Sequence, residues 1–347
     1  MEFSLLSPRS PPNQVSEVKK EKREAKEEHP RAFSEKHRDL ISTFPQNNEW
    51  KFTLPLYKYQ GFWNCPNYIQ GLLLAQENFK PQSTDVIIST HPKAGTTWLK
   101  ALAFAIVERN RHKDSSSLLL TELSHDVLSF FEIDAAQNIN RRNPEIPLLA
   151  THFPYSSLPS SVIKSGCKIV YMCRDPKDVF VSLYYFQKKK HSGVEFISIE
   201  NAFELFCRGV STFGPYLDHV LEYWKASLEW PERVLFLKYE DMKSKPLCYL
   251  KKLAEFIGYP FTPEEERSNV VQEIITMCSF EKMKDLATLK NGEFYSNTPF
   301  SVRNTVFFRK GQIGDWKNHL TKEMGDQLDK ITEEKLNGSG LSFLSYH

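Results

Sequence analysis

Residues 85–98 read Asp-Val-Ile-Ile-Ser-Thr-His-Pro-Lys-Ala-Gly-Thr-Thr-Trp, and this stretch is the main evidence for the architecture. Its first six residues form an apolar run of strand length, and beyond Thr97 apolar residues recur at helical spacing. The pattern predicts a buried strand, a short loop with one glycine, and a helix. Free backbone N–H groups and the helix dipole meet where such a helix begins, so the expected ligand there is an anion such as phosphate.

The loop differs from the phosphate loop of nucleotide triphosphatases. In that loop the lysine directly follows the second glycine, whereas Lys93 lies two residues before Gly95 and no earlier glycine stands near enough. We therefore expect Lys93 to supply a cation, Gly95 a close backbone approach, and Thr96 and Thr97 hydroxyl donors. An ordinary strand-to-helix turn with an exposed lysine is the alternative that these residues alone leave open.

Four short apolar segments predict parallel strands, at 85–90, 147–151, 168–173 and 234–238, and helices are predicted between them, including 202–210, 216–228 and 247–257. This alternation is typical of an α/β domain whose central parallel sheet is flanked by helices on both faces. In such sheets ligands bind beyond the carboxyl ends of the strands. Lys93, His152, Arg174 and Tyr239 each follow a different predicted strand, so we expect them at one edge of the sheet.

The first 48 residues differ in composition from the rest. Ten of the twelve residues 17–28 are charged, with both signs mixed, and such a segment buries too little apolar area to fold alone. We predict a disordered, charged tail at 1–48, solvated rather than partner-binding, and a single α/β domain at 49–347. The chain length of 347 residues would also allow two domains.

Charge and cysteine content exclude several classes of function. The 45 Lys and Arg residues exceed the 43 Asp and Glu residues by two, so no nucleic-acid-binding surface is expected. Six cysteines without a Cys-x-x-Cys pair predict reduced thiols that bind no metal. The sequence has no run of 18 apolar residues and no recognisable secretory or transit signal, which predicts a cytoplasmic location with no membrane association.

The segment Pro-Lys-Ala-Gly-Thr-Thr-Trp resembles the phosphosulfate loop of the cytosolic sulfotransferases, with His91 and Ala94 where that family usually has Tyr and Ser. Three further blocks match in the expected order, beginning at Ala150 (Ala-Thr-His-Phe-Pro), Tyr171 (Tyr-Met-Cys-Arg-Asp) and Arg309 (Arg-Lys-Gly-Gln-Ile-Gly-Asp-Trp). The run Tyr-Gln-Gly-Phe-Trp at 59–63 is similar to the plant branch. The resemblance covers roughly residues 55–345 and implies a P-loop-like, nucleotide-kinase-like sulfotransferase fold.

The resemblance implies 3′-phosphoadenylyl sulfate (PAPS) as the donor substrate and no metal. Sulfuryl transfer resembles phosphoryl transfer, in which the protein positions an in-line displacement and neutralises charge on the leaving group. By resemblance, Lys93 stabilises that charge and His152 is the general base for an acceptor hydroxyl. The positions that the family uses for the donor are Lys93, Ala94, Gly95, Thr96, Thr97, Trp98, Arg174, Ser182, Tyr239, Phe280, Arg309, Lys310 and Gly311.

Departures from the family pattern lead to four expectations. Ala150 stands where many members have lysine, so more of the charge neutralisation is expected to fall on Lys93. Asp175 is explained as a helix N-cap and is left out of the site. Cys278 replaces a common threonine, which is expected to weaken a hydrogen bond to adenine. Lys322 replaces a valine of the family's dimer motif, which predicts a monomer.

The acceptor site is predicted from composition. Several aromatic residues could line a cavity for a flat or alicyclic small molecule, although core packing also explains most of them: Tyr57, Phe62, Trp63, Phe130, Phe131, Phe153 and Tyr185. The segment 291–304 is predicted to form a lid. Flavonoids, hydroxylated hormones of steroid or jasmonate type, and desulfoglucosinolates are the acceptors that the resemblance allows.

Three functions can be compared on these grounds. The first is a plant-type cytosolic sulfotransferase acting on a small hydroxylated metabolite. The second is a nucleotide-dependent kinase, which lacks support because the glycine–lysine order and a clear Mg²⁺-binding aspartate are missing. The third is a nucleotide-binding module without turnover, and the presence of both Lys93 and His152 argues against it.

Overall fold

The computed structural model describes residues 35–109, 119, 122–143, 145–191, 195–290 and 292–343. The first half contains helix α1 Glu35–Ser42, strands β1 Gln46–Asn47, β2 Leu56–Tyr59 and β3 Phe62–Asn64, helix α2 Pro66–Asn78, strand β4 Val86–Thr90, helices α3 Thr96–Glu108, α4 Ser124–Val127 and α5 Phe131–Gln137, strand β5 Leu148–Thr151, helix α6 Ser160–Ser165 and strand β6 Lys168–Cys173.

The second half is mainly helical. It contains helices α7 Pro176–Lys190, α8 Ile199–Cys207 and α9 Tyr216–Glu229, strand β7 Val234–Lys238, helices α10 Tyr239–Ser244, α11 Pro246–Ile257, α12 Pro263–Arg267, α13 Val270–Met277 and α14 Phe280–Lys290, strands β8 Glu293–Phe294 and β9 Val302–Arg303, and helix α15 Lys322–Leu336. Short 3-10 turns lie at Tyr155–Ser157, Asn304–Phe307 and Asp315–Asn318. No helix in these ranges is long and apolar enough to cross a bilayer.

Strands β4 to β7 form the central sheet, in the order β5-β4-β6-β7 with every neighbour parallel. Alternate residues of β4 face two different cores, since Ile87 packs in a cluster with Phe180 and Val220, and Ile88 in a cluster with Leu102 and Leu253. The sheet is therefore covered by helices on both faces. This confirms the predicted α/β class, and all four predicted strands are present within one residue at each end.

The predicted helix at 202–210 is present but begins at Ile199 and ends at Cys207. Its start is fixed by Ser198, whose side chain accepts a hydrogen bond from the backbone N–H of Asn201 and so caps the helix. Beyond its end Gly209 has a φ of 77°, which a helix cannot continue. The helices predicted at 216–228 and 247–257 are observed as α9 and α11 within one residue.

The amino-terminal boundary needs a correction. Residues 35–47 are packed on the domain, because Ile41 is buried against Ile69 and Leu73 of α2 and β1 pairs with β2. The predicted tail at 1–48 is therefore wrong for its last fourteen positions. Residues 1–34, including the charged stretch 17–28, lie outside the described residues. The amphipathic spacing of α1 was overlooked because the charged residues around it dominate the composition.

Candidate active site

A cavity of about 390 Å³ opens where the strands of the central sheet end. Lys93 follows β4, His152 follows β5, Arg174 follows β6 and Tyr239 follows β7, and all four line this cavity. The expected convergence at one sheet edge is thus observed. Of the donor positions named from sequence, Ala94 does not line the cavity, because its side chain is buried in the core, and the others do.

Gly95 is required by both conformation and space. Its φ of 111° is unfavourable for other residues, and a Cβ there would lie 2.5 Å from Cε of Met172 and 2.8 Å from Cδ2 of Tyr239. Gly95 is also the N-cap of α3 and offers no side-chain cap. The first N–H groups of α3 are consequently left for a ligand in the cavity.

Lys93 lies in the left-handed region with a φ of 71°. Its Nζ is 4.4 Å from the ring centroid of Phe186 on α7. Burial, together with the charges of Arg174, Arg309 and Lys189, lowers the pKa of Lys93 to about 7. An anion placed among these cations would reverse that effect and keep the ammonium protonated.

The hydrogen bonds of His152 fix its tautomer. Nδ1 is 2.7 Å from the carbonyl oxygen of Thr90, and a carbonyl only accepts, so Nδ1 carries the proton and Nε2 carries the lone pair. The ring stacks on Phe130 with centroids 4.5 Å apart, and the backbone N–H donates to Oε1 of Glu132. Burial, followed by the charge of Lys100, lowers the pKa of His152 to about 3. The imidazole is therefore neutral and can accept a proton.

The loop at 309–316 is tied to the sheet edge. The Arg174 guanidinium donates to the carbonyl oxygen of Gln312 at 2.6 Å and lies 4.6 Å from the Tyr239 ring centroid, while Tyr239 Oη donates to the carbonyl of Gly311 at 3.0 Å. Gly311 has a φ of 64°, and a Cβ there would come within 2.4 Å of the Phe280 ring. The family's close-approach glycine thus has a physical reason in this chain.

The charged side chains that line the cavity in the described part of the chain are all cationic. Its lining within the described ranges includes Lys93, Arg174, Lys190, Arg309 and Lys310, and contains no Asp or Glu. The buried Nε atoms of Arg174 and Arg309 have no hydrogen-bond partner in the described part of the chain. These groups fit an anionic ligand, since each N–H left without an acceptor costs free energy until one arrives.

Comparison with known proteins identifies the family of this chain. The sulfotransferase domain family matches residues 83–340. The chain belongs to the sulfotransferase family. Flavonol 3-sulfotransferase of Flaveria bidentis is 48% identical over 309 residues, which cover 87% of this chain and 98% of that relative. Cytosolic sulfotransferase 16 of Arabidopsis thaliana is 43% identical over 313 residues, covering 88% and 92%. The expected membership of the plant cytosolic branch is confirmed.

Solved structures agree with this assignment. The crystal structure of an Arabidopsis thaliana putative steroid sulphotransferase has a TM-score of 0.70 and 36% identity, covering 88% of this chain and 94% of that chain. A mouse sulfotransferase complexed with PAP has a TM-score of 0.61 and 26% identity, covering 82% and 95%. The protein is a transferase, and its sulfotransferase fold is as the sequence predicted.

The acceptor side of the sulfotransferase differs from the prediction. Of the seven aromatic residues named from sequence, Phe130 alone lines the cavity; Phe62, Phe131 and Phe153 are buried in the core, and Tyr185 contacts His319. Tyr57 and Trp63 belong to the small sheet and also lie outside the lining. The aromatic residues that line the cavity are instead Phe52, Tyr68, Trp98, Phe130, Phe186, Phe213, Tyr239, Phe280, Phe294, Phe300, Phe307 and Phe308.

The segment predicted as a lid contributes to the cavity wall. Strands β8 and β9 pair as a hairpin, and Phe294, Pro299, Phe300 and Val302 line the cavity. The hydroxyl of Tyr295 donates to Asp134 Oδ1 at 2.5 Å and anchors the hairpin. Position 291 lies outside the described residues. Opening of this segment stays a prediction.

Two further expectations concern Asp175 and Cys278. Asp175 accepts a hydrogen bond from the backbone N–H of Lys177 at 2.8 Å, as an N-cap does, and it does not line the cavity. The N-cap prediction is confirmed. Cys278 is buried in the core and is absent from the lining. Its thiol therefore has no direct contact with the cavity in this sulfotransferase.

Lys100 and His125 were overlooked in the sequence. Lys100 is fully buried on α3, and its Nζ lies 3.1 Å from Nδ1 of His125 and 4.2 Å from the Phe130 ring centroid. Burial lowers the pKa of Lys100 to about 7. When Lys100 is protonated, its ammonium donates to Nδ1 of His125, whose Nε2 then donates to Oγ1 of Thr97, 2.9 Å away, and the Thr97 hydroxyl keeps its proton for a ligand. The sequence feature that indicates them is a lysine placed among the apolar residues of a predicted helix.

Asp178 is a third residue that the sequence analysis does not assign to the site. Its carboxylate accepts the backbone N–H groups of Gly314 at 2.7 Å and Trp316 at 3.1 Å, and it lies 3.3 Å from the Arg174 guanidinium. It therefore holds the 309–316 loop beside Arg174. In the sequence it is visible only as an acidic residue in the first turn of a helix. Within the described ranges no group of three or more His, Cys, Asp and Glu residues is placed to hold a metal ion.

Proposed function

We propose that this sulfotransferase transfers the sulfuryl group of PAPS to a hydroxyl of a small plant metabolite by in-line displacement. The observation that carries the proposal is that His152, Lys93 and Arg174 line one cavity although they follow three different strands. Relatives named as flavonol sulfotransferases make flavonols the first acceptors to test. Hydroxylated hormones and desulfoglucosinolates are further classes that the family allows.

The loop 93–97 and the start of α3 are proposed to hold the 5′-phosphosulfate. An ammonium, backbone N–H groups and the Thr97 hydroxyl point to a tetrahedral anion there. Trp98, Tyr239 and Phe280 offer ring faces for the adenine, and the centroids of Trp98 and Tyr239 are 5.5 Å apart. Aromatic rings can stack on the flat face of any nucleobase, so these three residues suit an adenosine donor.

The 3′-phosphate is proposed to bind between Arg174 and Ser182 on one side and Arg309, Lys310 and Gly311 on the other. The two guanidinium Nε groups without partners in the described ranges support this assignment. Arginine suits a phosphate because it can form two parallel hydrogen bonds to it. Gly311 further supports the assignment of the 3′-phosphate, since a glycine allows its backbone to approach an anion closely.

In the proposed reaction the acceptor oxygen forms a bond to sulfur while the bond from sulfur to the bridging oxygen breaks. The acceptor hydroxyl proton passes to Nε2 of His152, which is available because Nδ1 is held by Thr90. The Lys93 ammonium stabilises the charge that develops on the bridging oxygen. The products are a sulfate ester and adenosine 3′,5′-bisphosphate.

Purified protein incubated with labelled PAPS and a panel of flavonols tests this proposal. We expect sulfated flavonol and adenosine 3′,5′-bisphosphate in equal amounts, no transfer from ATP with Mg²⁺, and no effect of a chelator, because the cavity's own cations neutralise the leaving group. Phosphoryl transfer from ATP would favour the kinase alternative. Tight binding of the bisphosphate without turnover of any acceptor would favour the binding module.

The cellular location and the partners are part of the same proposal. Five Arabidopsis relatives are named cytosolic sulfotransferases, and we propose a cytoplasmic location for this enzyme. We propose further that its partners are small molecules, with no nucleic acid and no membrane surface among them. Fractionation of cells that produce the tagged protein would check the location.

A further inference from the structure

One cation of the cavity is not used by the proposed donor site. Lys93, Arg174, Arg309 and Lys310 are assigned to the donor, whereas Lys190 also lines the cavity and has no role there. Lys190 is the last residue of α7. It lies eight residues beyond Ser182, which corresponds to about 12 Å along the helix. Lys190 is thus well separated from the proposed 3′-phosphate position.

The face of α7 that borders the cavity connects the two regions. Ser182, Phe186 and Lys190 are spaced by four residues each, so they share one face of the helix, and all three line the cavity. Phe186 contacts Lys93. The same face therefore runs from the proposed donor site, past the reacting centre, to Lys190.

The surroundings of Lys190 belong to the acceptor side. Cys65, Asn67, His191 and Thr212 line the cavity with it, and Phe213, next to Thr212, lies 5.4 Å from the His152 ring by centroids. One turn before Lys190, the Gln187 amide donates to Thr212 Oγ1 at 3.4 Å. A molecule that presents its hydroxyl to His152 and extends along Phe213 would reach this polar end.

Lys190 has no ion-pair partner within the part of the chain that the structure describes. The acidic residue that follows it most closely in sequence, Glu195, pairs with Lys51 at 3.6 Å. Lys190 is half-buried, and burial lowers its pKa. The neighbouring Cys65 is no counter-ion near neutral pH, because burial raises the pKa of its thiol. A half-buried ammonium without a counter-ion is costly, and an anionic group on a ligand would offset that cost.

We propose that Lys190 binds a negatively charged group of the acceptor, so that this sulfotransferase acts preferentially on hydroxylated acceptors that already carry a carboxylate or a sulfate ester. The inference rests on the proposed function. It specifies the acceptor class: an apolar, ring-sized body between the aromatic walls, a hydroxyl at His152, and an anion at the opposite end. The absence of Asp and Glu from the described lining supports it, because no residue there competes for the ammonium.

Matched acceptor pairs test the proposal directly. We would compare phenolic and alicyclic hydroxy acids with their methyl esters, and flavonols with their monosulfates, by kcat/KM at saturating PAPS. The charged member of at least one pair should be preferred by about tenfold or more, the effect of one charge-assisted hydrogen bond. Lys190→Met should remove that preference and leave the neutral member unchanged, Lys190→Arg should retain it, and Lys190→Glu should reverse it.

Lys188→Met is the matched control, because Lys188 is exposed on the same helix and does not line the cavity. Affinity for adenosine 3′,5′-bisphosphate should be the same in all variants. Equal use of charged and neutral acceptors by the wild type, or an equal loss for both in Lys190→Met, would overturn the role of Lys190, as would weakened bisphosphate binding in that variant. Failure to sulfate any acceptor would instead count against the proposed function.

Discussion

At the scale of single residues, the chemistry depends on how neighbouring groups set protonation. His152 is kept neutral by burial and nearby cations and is oriented by the Thr90 carbonyl. The pKa of Lys93 is lowered to about 7 because the side chain is buried and lies among other cations, with no carboxylate in the described lining. The proposed function gives these two side chains different roles, proton acceptor for His152 and cation for Lys93, so each gives a separate prediction.

His152→Ala should abolish sulfuryl transfer while leaving nucleotide binding nearly intact. Removal of a general base lowers kcat by roughly 10²- to 10⁴-fold, and the ring makes no contact assigned to the donor. Arg174→Ala should instead weaken the binding of adenosine 3′,5′-bisphosphate, because Arg174 is proposed to contact the 3′-phosphate. Calorimetry and initial rates on both variants separate the two effects. Near-normal turnover by His152→Ala would mean that another group is the base.

Binding of adenosine 3′,5′-bisphosphate should weaken as the pH rises above about 7, the pKa of Lys93 in the free protein. The bound anion raises that pKa, so above pH 7 binding requires uptake of a proton and the dissociation constant increases by up to about tenfold per pH unit. Titrations between about pH 7.5 and 9, where the phosphates no longer change charge, measure this. A Lys93→Met variant should show a shallower profile, with the remaining slope coming from Lys100, whose pKa burial also lowers to about 7. An identical slope in that variant would assign the proton elsewhere.

At the scale of elements, the donor side depends on the contact between α7 and the loop at 309–316. Asp178 on α7 accepts two backbone N–H groups of that loop and lies beside Arg174. The loop is otherwise held by the Tyr239 hydroxyl and by the Arg174 bond to Gln312. Few contacts thus position Arg309, Lys310 and Gly311, the loop residues proposed for the 3′-phosphate.

Asp178→Asn should weaken bisphosphate binding several-fold without unfolding the protein. The amide keeps the shape of the side chain but has one acceptor oxygen, so one of the two loop N–H groups loses its partner, at roughly 1–3 kcal/mol. Asp326→Asn on the exposed surface of α15 is the control. Calorimetry gives the affinities, and thermal unfolding checks the fold. Unchanged affinity in Asp178→Asn would show that the loop is held by its other contacts.

At the scale of the whole molecule, we expect a monomer. Lys322, at the start of α15, stands where the family's dimer motif has valine, and its side chain is 81% exposed and paired with Asp326 at 2.5 Å. A solvated charge at that position removes an apolar contact between two copies. Sedimentation velocity over a wide concentration range should give one species of monomer mass near 40.4 kDa. A tight dimer would contradict this expectation.

The four central strands and the loop from Lys93 to Thr97 are predictable from the sequence alone, and the candidate donor residues follow from the family resemblance. These features are local, because each lies within a short stretch of sequence: an apolar run of strand length, a glycine in a loop, or a short motif. They can be recognised without knowing how distant segments pack. The sequence also predicts that Lys93, His152, Arg174 and Tyr239 meet at one edge of the sheet, because the carboxyl ends of parallel strands lie at the same edge.

The strand order, the lining of the cavity and the contacts of Lys100, Asp178 and Lys190 are visible only in the three-dimensional structure. Aromatic residues look alike in sequence whether they fill a core, as Phe153 does, or face a cavity, as Phe213 does. Contact between distant segments depends on how helices pack on the sheet, and a one-dimensional pattern carries no record of that packing. A buried lysine is likewise visible as functional only when the groups around it are known.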